Sequence, residues 1–295
     1  MRHTPSWPDL RDRWPNSEAS RFVDAGAQRW HVQVVGSGPP LLLVHGIGAA
    51  THTWGTLAPR LAKRFTVVAP DLPGHGFTIS PRTDRLSLDG FAEELSALLR
   101  ALELVPTIGV GHAAGTAVLL RMALTSGTSL RSVVGINAAL YPPRSQLWTL
   151  FAPAAKVAVK SAQVAELGAR LASGSMEDAL LRSTGSIITD EQMALYSVFL
   201  RSRRHMGAMM TLLGAWGHAA LERDLPGLTV PVTLGVALDD NWVPPRDAER
   251  LARRIPRSRV VEIARAGHFA HEERAPVAEN IVIEAAVESG VLPSR

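Results

Sequence analysis

Cysteine is absent from the 295 residues. That excludes disulfides, thiolate metal sites and cysteine nucleophiles, and it fits a reducing compartment. A large surplus of either charge is also missing. Lys and Arg number 31 against 27 Asp and Glu, a formal net charge of +4. Mixed signs at so small a surplus exclude nucleic-acid binding on charge alone, although the sequence pI is 10.1. The chain's middle has no apolar run that would span a bilayer: the uncharged stretch Ser145–Ala155 is too short and contains Pro153. The opening Met1–Asp9 has no apolar h-region, so a secretory signal is not expected and a cytoplasmic location is. Ten histidines occur, but none in a His-Glu-x-x-His pattern. Neither a metal nor a cofactor is therefore expected. Against these absences stands an apolar content of 46%, enough for a sizeable core in one large domain or two modest ones.

Residues 1–20, rich in Pro, Trp and charge, are expected to lie across the surface. From Ser20 a regular alternation begins. Ser20–Val35 reads as a strand pair closed by Gly36-Ser37-Gly38-Pro39-Pro40. Leu41–Val44, Phe65–Ala69, Thr107–Gly111 and Val133–Ile136 are short apolar runs bounded by turn residues, the pattern of parallel strands buried on both faces. Helical spacing falls between them at Trp54–Lys63, Leu88–Leu104 and Ala114–Leu124. From Tyr141 to about Leu225 no strand is visible, and helices are expected over Leu147–Leu171, Met176–Arg182, Asp190–Arg201 and His205–Leu221. Strands and helices then resume at Val232–Val236, Pro245–Arg254, Val260–Ile263 and Ala275–Glu288. The spacing predicts an α/β fold: a mostly parallel sheet with helices on both faces, built from 1–140 and 226–295. A helical cap at 141–225 is expected over the strand ends, where open parallel sheets bind ligands.

Gly111-His112-Ala113-Ala114-Gly115 lies between a strand and a helix. A turn this sharp needs glycine at its flanks, because side chains there would strike the neighbouring backbone. The central side chain is thereby thrust to the sheet edge. In a nucleophile elbow, Gly-x-Ser-x-Gly, that residue is serine. Here it is Ala113, whose methyl cannot attack a carbonyl. Either a serine has been replaced by alanine or the protein has lost its nucleophile in evolution; the intact surroundings favour replacement. Taken alone, the segment could be a plain glycine-rich turn.

The surroundings appear in the chain order nucleophile, acid, histidine. Asp240 follows the strand Val232–Val236, and His268 follows the last strand, 28 residues later. Asp240 would orient the imidazole and His268 would take the nucleophile's proton. Asp239 is the rival acid, set aside because Asp240 has the better spacing to Val243-Pro244; His271 reads as a rim or structural histidine. His45-Gly46-Ile47-Gly48 would supply an oxyanion loop, with the backbone N–H groups of Ile47 and Ala114 as its donors. Gly46-x-Gly48 followed by Asp71 imitates a dinucleotide-binding fingerprint, but Thr51 stands where that motif needs its third glycine.

The elbow, the His-Gly loop, Asp71-Leu72-Pro73-Gly74-His75-Gly76 and Gly267-His268 together resemble the α/β-hydrolase superfamily over nearly the whole chain. A narrower resemblance rests on Trp14-Pro15-Asn16, Ala19–Val23, Trp30–Gln33, Thr51–Trp54 and Arg64–Thr78. It is to the magnesium-chelatase accessory proteins of bacteriochlorophyll biosynthesis, the BchO family. The resemblance implies a serine at position 113 in relatives. It also implies a role near magnesium insertion into protoporphyrin and, as partners, a tetrapyrrole and magnesium-chelatase subunits.

The expected substrate lining is His45, Gly46, His112, Tyr141, Trp148, Phe151, Met209, Trp242 and Phe269. Leu147, Trp148, Leu150, Phe151, Val157 and Val159 form one apolar series in the cap; Met206, Met209, Met210, Leu212, Leu213 and Trp216 form another. Their plain use is packing; a sharper one is a wide apolar pocket for a flat macrocycle, with Arg121, Arg144, Arg201, Arg203 or Arg204 meeting its carboxylates. Aromatics beside Lys156 and Lys160 also suit 145–160 to peripheral contact with an anionic membrane. Three functions fit: a serine-type ester hydrolase of pigment synthesis silenced at Ala113, a tetrapyrrole carrier that cleaves nothing, and a generic carboxylic ester hydrolase.

Overall fold

The short apolar runs bounded by turn residues satisfy their backbone by pairing side by side under helices. The structure, a computed structural model, describes residues 5–80, 85–140, 179–214 and 218–294. Eight strands form one sheet: β1 (Ser20–Ala25), β2 (Gln28–Val35), β3 (Pro40–Val44), β4 (Thr66–Pro70), β5 (Ile108–His112), β6 (Ser132–Ile136), β7 (Val232–Ala237) and β8 (Ser258–Ile263). Their order is β1-β2-β4-β3-β5-β6-β7-β8. The β1–β2 and β2–β4 pairs are antiparallel and the others parallel.

Alternation along each strand divides the core in two. Leu42 and Val44 face the helices Leu88–Ala101 and Ala114–Ala123 on one side. Leu41, Leu43, Val67, Val110 and Ile136 face Leu57–Leu61 and Ala275–Glu288 on the other. Burial of both faces explains why these strands read as continuous apolar runs rather than alternating ones.

Outside 141–225 the expected strands and helices are present, with ends moved by a few residues. The N-terminal segment lies across the surface as expected but is anchored by Leu10 and Trp14, which are buried and pack with Ala50, Phe77, Leu195 and Phe199. Trp14 donates its indole N–H to Thr51 Oγ1 at 3.1 Å, so its one polar atom is satisfied inside. Within 141–225, helices are described at Asp190–Leu200, Arg203–Gly214 and His218–Asp224. The first is opened by a capping box in which Thr189 and Gln192 exchange hydrogen bonds. The helix expected over Leu147–Leu171, and the membrane-contact stretch 145–160, lie outside the described residues. No helix among the described residues is long and apolar enough to cross a membrane.

Candidate active site

The turn after β5 is forced by its glycines. A Cβ on Gly111 would stand 2.4 Å from the backbone nitrogen of Thr116, and one on Gly115 would stand 2.0 Å from the carbonyl oxygen of Val44. Between them Ala113 has φ 46° and ψ −118°, a conformation that L-residues avoid. It is held there by three backbone bonds. Its N–H donates to Ile136 O at 3.0 Å, and its carbonyl accepts the N–H groups of Thr116 and Ala139, both at 3.1 Å. Gly46 from the β3 loop faces the methyl: a Cβ on Gly46 would lie 3.1 Å from that of Ala113. Ile47 follows Gly46 in that loop. Ala114 opens the helix Ala114–Ala123, whose first N–H groups have no partner within the helix.

Asp240 and His268 come together from the loops after β7 and β8. His268 Nδ1 lies 2.9 Å from Asp240 Oδ2. The other carboxylate oxygen accepts the backbone N–H groups of Trp242 at 2.7 Å and Val243 at 2.9 Å. The carboxylate is thus locked, and the His268 Nδ1–H donates to it. Asp239, the rival acid, is exposed, and its N–H donates to Ala266 O. His268 itself is buried, with Trp242 and His112 rings at 5.3 and 4.8 Å.

The other expected residues divide into two groups. Met209 is half-buried and packs on the loop after β3, its Cε 3.1 Å from where a Gly48 Cβ would be. Trp242 is half-buried and donates to Ser183 Oγ at 3.0 Å. His45 is fully buried and spends both nitrogens inside its loop, donating from Nδ1 to Gly46 O at 2.8 Å and accepting Leu72 N–H at 2.9 Å. Burial holds its pKa below the ordinary histidine value. His112, expected to line substrate, is also buried, and donates from Nε2 to His268 O at 2.8 Å. Phe269 packs with Ala49, Leu181, Met193, Tyr196 and Leu200. Tyr141, Trp148 and Phe151 lie outside the described residues.

Of the arginines proposed for carboxylates, Arg121 pairs with Asp89 and, at 3.0 Å, with Asp224. Arg204 donates to Gly76 O at 2.6 Å. Arg201 is exposed, and Arg144 lies outside the described residues. Among the described residues no cluster of His, Asp or Glu could hold a metal ion.

Sequence reasoning missed two features. One is Asn137, at φ 48° just after β6. It donates to Gly267 O and His268 O, both at 3.0 Å, and accepts Ala237 N–H at 2.8 Å. An Asn closing an apolar strand was the available signal, since Asn tolerates the left-handed region. The other is a buried polar seam under the helix Asp190–Leu200. Glu272 accepts from Tyr196 O–H at 2.5 Å, Thr53 O–H at 2.8 Å and Gln192 N–H at 2.8 Å. His271 Nε2 donates to Thr53 Oγ1 at 2.6 Å, so His271 is structural and fully buried. Burial raises the Glu272 carboxyl to about 7 and, with the adjacent Glu272 charge, pushes the Tyr196 phenol well above its ordinary value.

Comparison with known proteins agrees with this architecture. The alpha/beta hydrolase fold family model matches residues 39–275. The magnesium-chelatase 30 kDa subunit of Rhodobacter capsulatus is 32% identical over 278 residues, covering 93% of this chain and 97% of that protein. Among solved structures, an enol-lactonase from Burkholderia xenovorans superposes with a TM-score of 0.74 at 19% identity, covering 90% of this chain and 100% of its own. An N-formylmaleamic acid deformylase from Pseudomonas putida gives 0.68 at 25% identity, covering 90% and 99%.

Proposed function

This chain belongs to the alpha/beta hydrolase family, and from that premise we propose that it acts at the magnesium-chelatase step of bacteriochlorophyll biosynthesis, through a serine-hydrolase-type site in which alanine has replaced the nucleophile. One observation carries the reading. A locked Asp240 carboxylate orients His268 Nδ1 at 2.9 Å, beside an elbow still strained at φ 46°. Both features are those a nucleophile at position 113 would use. The likeness to the magnesium-chelatase subunit along 93% of the chain supports the pathway.

With serine at 113, its Oγ would attack a carbonyl carbon and pass its proton to His268 Nε2. Asp240 would stabilise the imidazolium, and the N–H groups of Ile47 and Ala114 would receive the charge on the carbonyl oxygen. Collapse of the tetrahedral intermediate would expel the leaving group, protonated by His268, and water would then release the acyl group. Ala113 has no lone pair, so the sequence as it stands binds without acylation. Loss of a serine nucleophile costs about six orders of magnitude in turnover. The substrate is an ester-type or tetrapyrrole-linked molecule, and the chelatase subunits are its partners.

A second reading is favoured by Ala113 itself: a non-catalytic protein that holds or hands over a tetrapyrrole such as protoporphyrin. The test restores Ala113→Ser and adds a fluorophosphonate probe. Labelling that requires His268 supports the hydrolase. No labelling, with protoporphyrin still bound by absorption titration, supports the carrier. Turnover of short aryl esters without porphyrin affinity would sink both and leave a generic ester hydrolase.

A further inference from the structure

The sheet by itself does not bring base and elbow together. β5, which ends at the elbow, and β8, which leads to His268, are separated by β6 and β7. Three strand spacings amount to roughly 14 Å. The loop after β8 must therefore fold back across the strand ends and be held there.

Two side chains from the elbow's side of the sheet do this. His112, the residue before Ala113, donates from Nε2 to the carbonyl oxygen of His268 at 2.8 Å. Asn137, from the end of β6, donates from Nδ2 to the same oxygen at 3.0 Å and to Gly267 O at 3.0 Å. Its own oxygen takes Ala237 N–H at the end of β7, so one amide links three successive strand ends. Both residues are buried, His112 at 1% exposure and Asn137 at 2%. We propose that His112 and Asn137 are positioning residues that pin the main chain of His268 over the elbow.

The arrangement fixes a tautomer. A carbonyl can only accept, so His112 must carry its proton on Nε2. Its Nδ1 is buried without a hydrogen-bond partner beside Gly46, 3.1 Å from where a Cβ there would stand. An apolar side chain of similar size would fill this space better than an imidazole with a bare nitrogen. The one bond His112 makes is therefore what its ring supplies.

The catalytic part of the proposal rests on the hydrolase reading; the clamp itself does not. In the unaltered chain, nitrogen-15 spectra of the imidazoles should show His112 as the neutral Nε2–H form. The Nδ1–H form, whose Nε2 has no proton to donate, overturns the proposal. In His112→Leu, exchange of the His268 Nδ1 proton with water should rise about fivefold to tenfold. His112→Gln, whose amide can donate again, should return it to within about twofold of the starting value. Unchanged exchange in His112→Leu overturns the proposal. If that variant does not fold, the tautomer and the His112→Gln spectrum decide. With Ala113→Ser, His112→Leu should lower kcat about tenfold while KM stays within about twofold. A change in KM alone would assign His112 to substrate contact instead. Should the restored serine prove inert, the hydrolase reading falls and the spectra still judge the clamp.

Discussion

The elbow and the seam under the helix Asp190–Leu200 are both polar and both buried, yet they are built in opposite ways. The elbow is made of backbone. Glycines at 111 and 115 let chain segments approach to distances that a Cβ would forbid, and peptide groups hold the turn. The seam is made of side chains, with Thr53, Tyr196, Gln192, His271 and Glu272 satisfying one another between segments far apart in sequence. A backbone site constrains residue type at fixed spacing and tolerates no substitution there. A side-chain site constrains pairs far apart in sequence: Thr53 and Glu272 are 219 positions apart. Single changes within it can be absorbed.

The contrast can be broken at several points. The largest effect is expected at the orienting acid. With Ala113→Ser in place, Asp240→Asn should lower kcat about 10⁴-fold, because an amide in that position favours the wrong imidazole tautomer. A loss under tenfold would mean that His268 is not oriented by Asp240.

Next comes Gly115→Ala. Its Cβ would meet Val44 O at 2.0 Å, and backbone cannot swing aside as a side chain can. The cost should exceed about 4 kcal/mol by denaturant unfolding. A mild effect would show that the elbow is less rigid than its glycines imply.

Glu272→Gln probes the seam, through pH. The folded carboxyl is raised from 4.5 to about 7 by burial. Folding therefore favours the protonated form. Its stabilising contribution is complete below about pH 4.5 and is lost as pH rises to about 7, some 3 kcal/mol in all. Stability curves measured across that window should converge or cross for the two proteins, with Glu272→Gln lacking the decline. Parallel curves would show that the carboxyl is not held in a desolvated seam.

The smallest change is Trp14→Phe, which keeps an aromatic ring in its cluster but loses the bond to Thr51. About 1 kcal/mol is expected from thermal unfolding. No effect would place the N-terminal segment outside the cooperative fold.

Legibility in the sequence follows the same division. The glycines of the elbow, Asp240 beside Val243-Pro244, and His268 after the last strand could be read because each requirement is local. The burial of Trp14 could not, since nothing in residues 1–20 announces that Phe77 and Phe199 will surround it. The sequence places His45 and His112 in the expected substrate lining. Only their partners, His268 O and the 45–46 and 72 backbone, show what they hold.

The sequence by itself determined the strand-and-helix alternation, the strained turn at 111–115 and the chemical identity of its centre. It could do so because hydrophobic period and glycine spacing act over a few residues. Only the tertiary structure decided what holds His268 across two intervening strands, and that Glu272 is sealed beneath a helix. Those are contacts between segments more than twenty residues apart, and distance along a chain says nothing about distance in space until the sheet order is fixed.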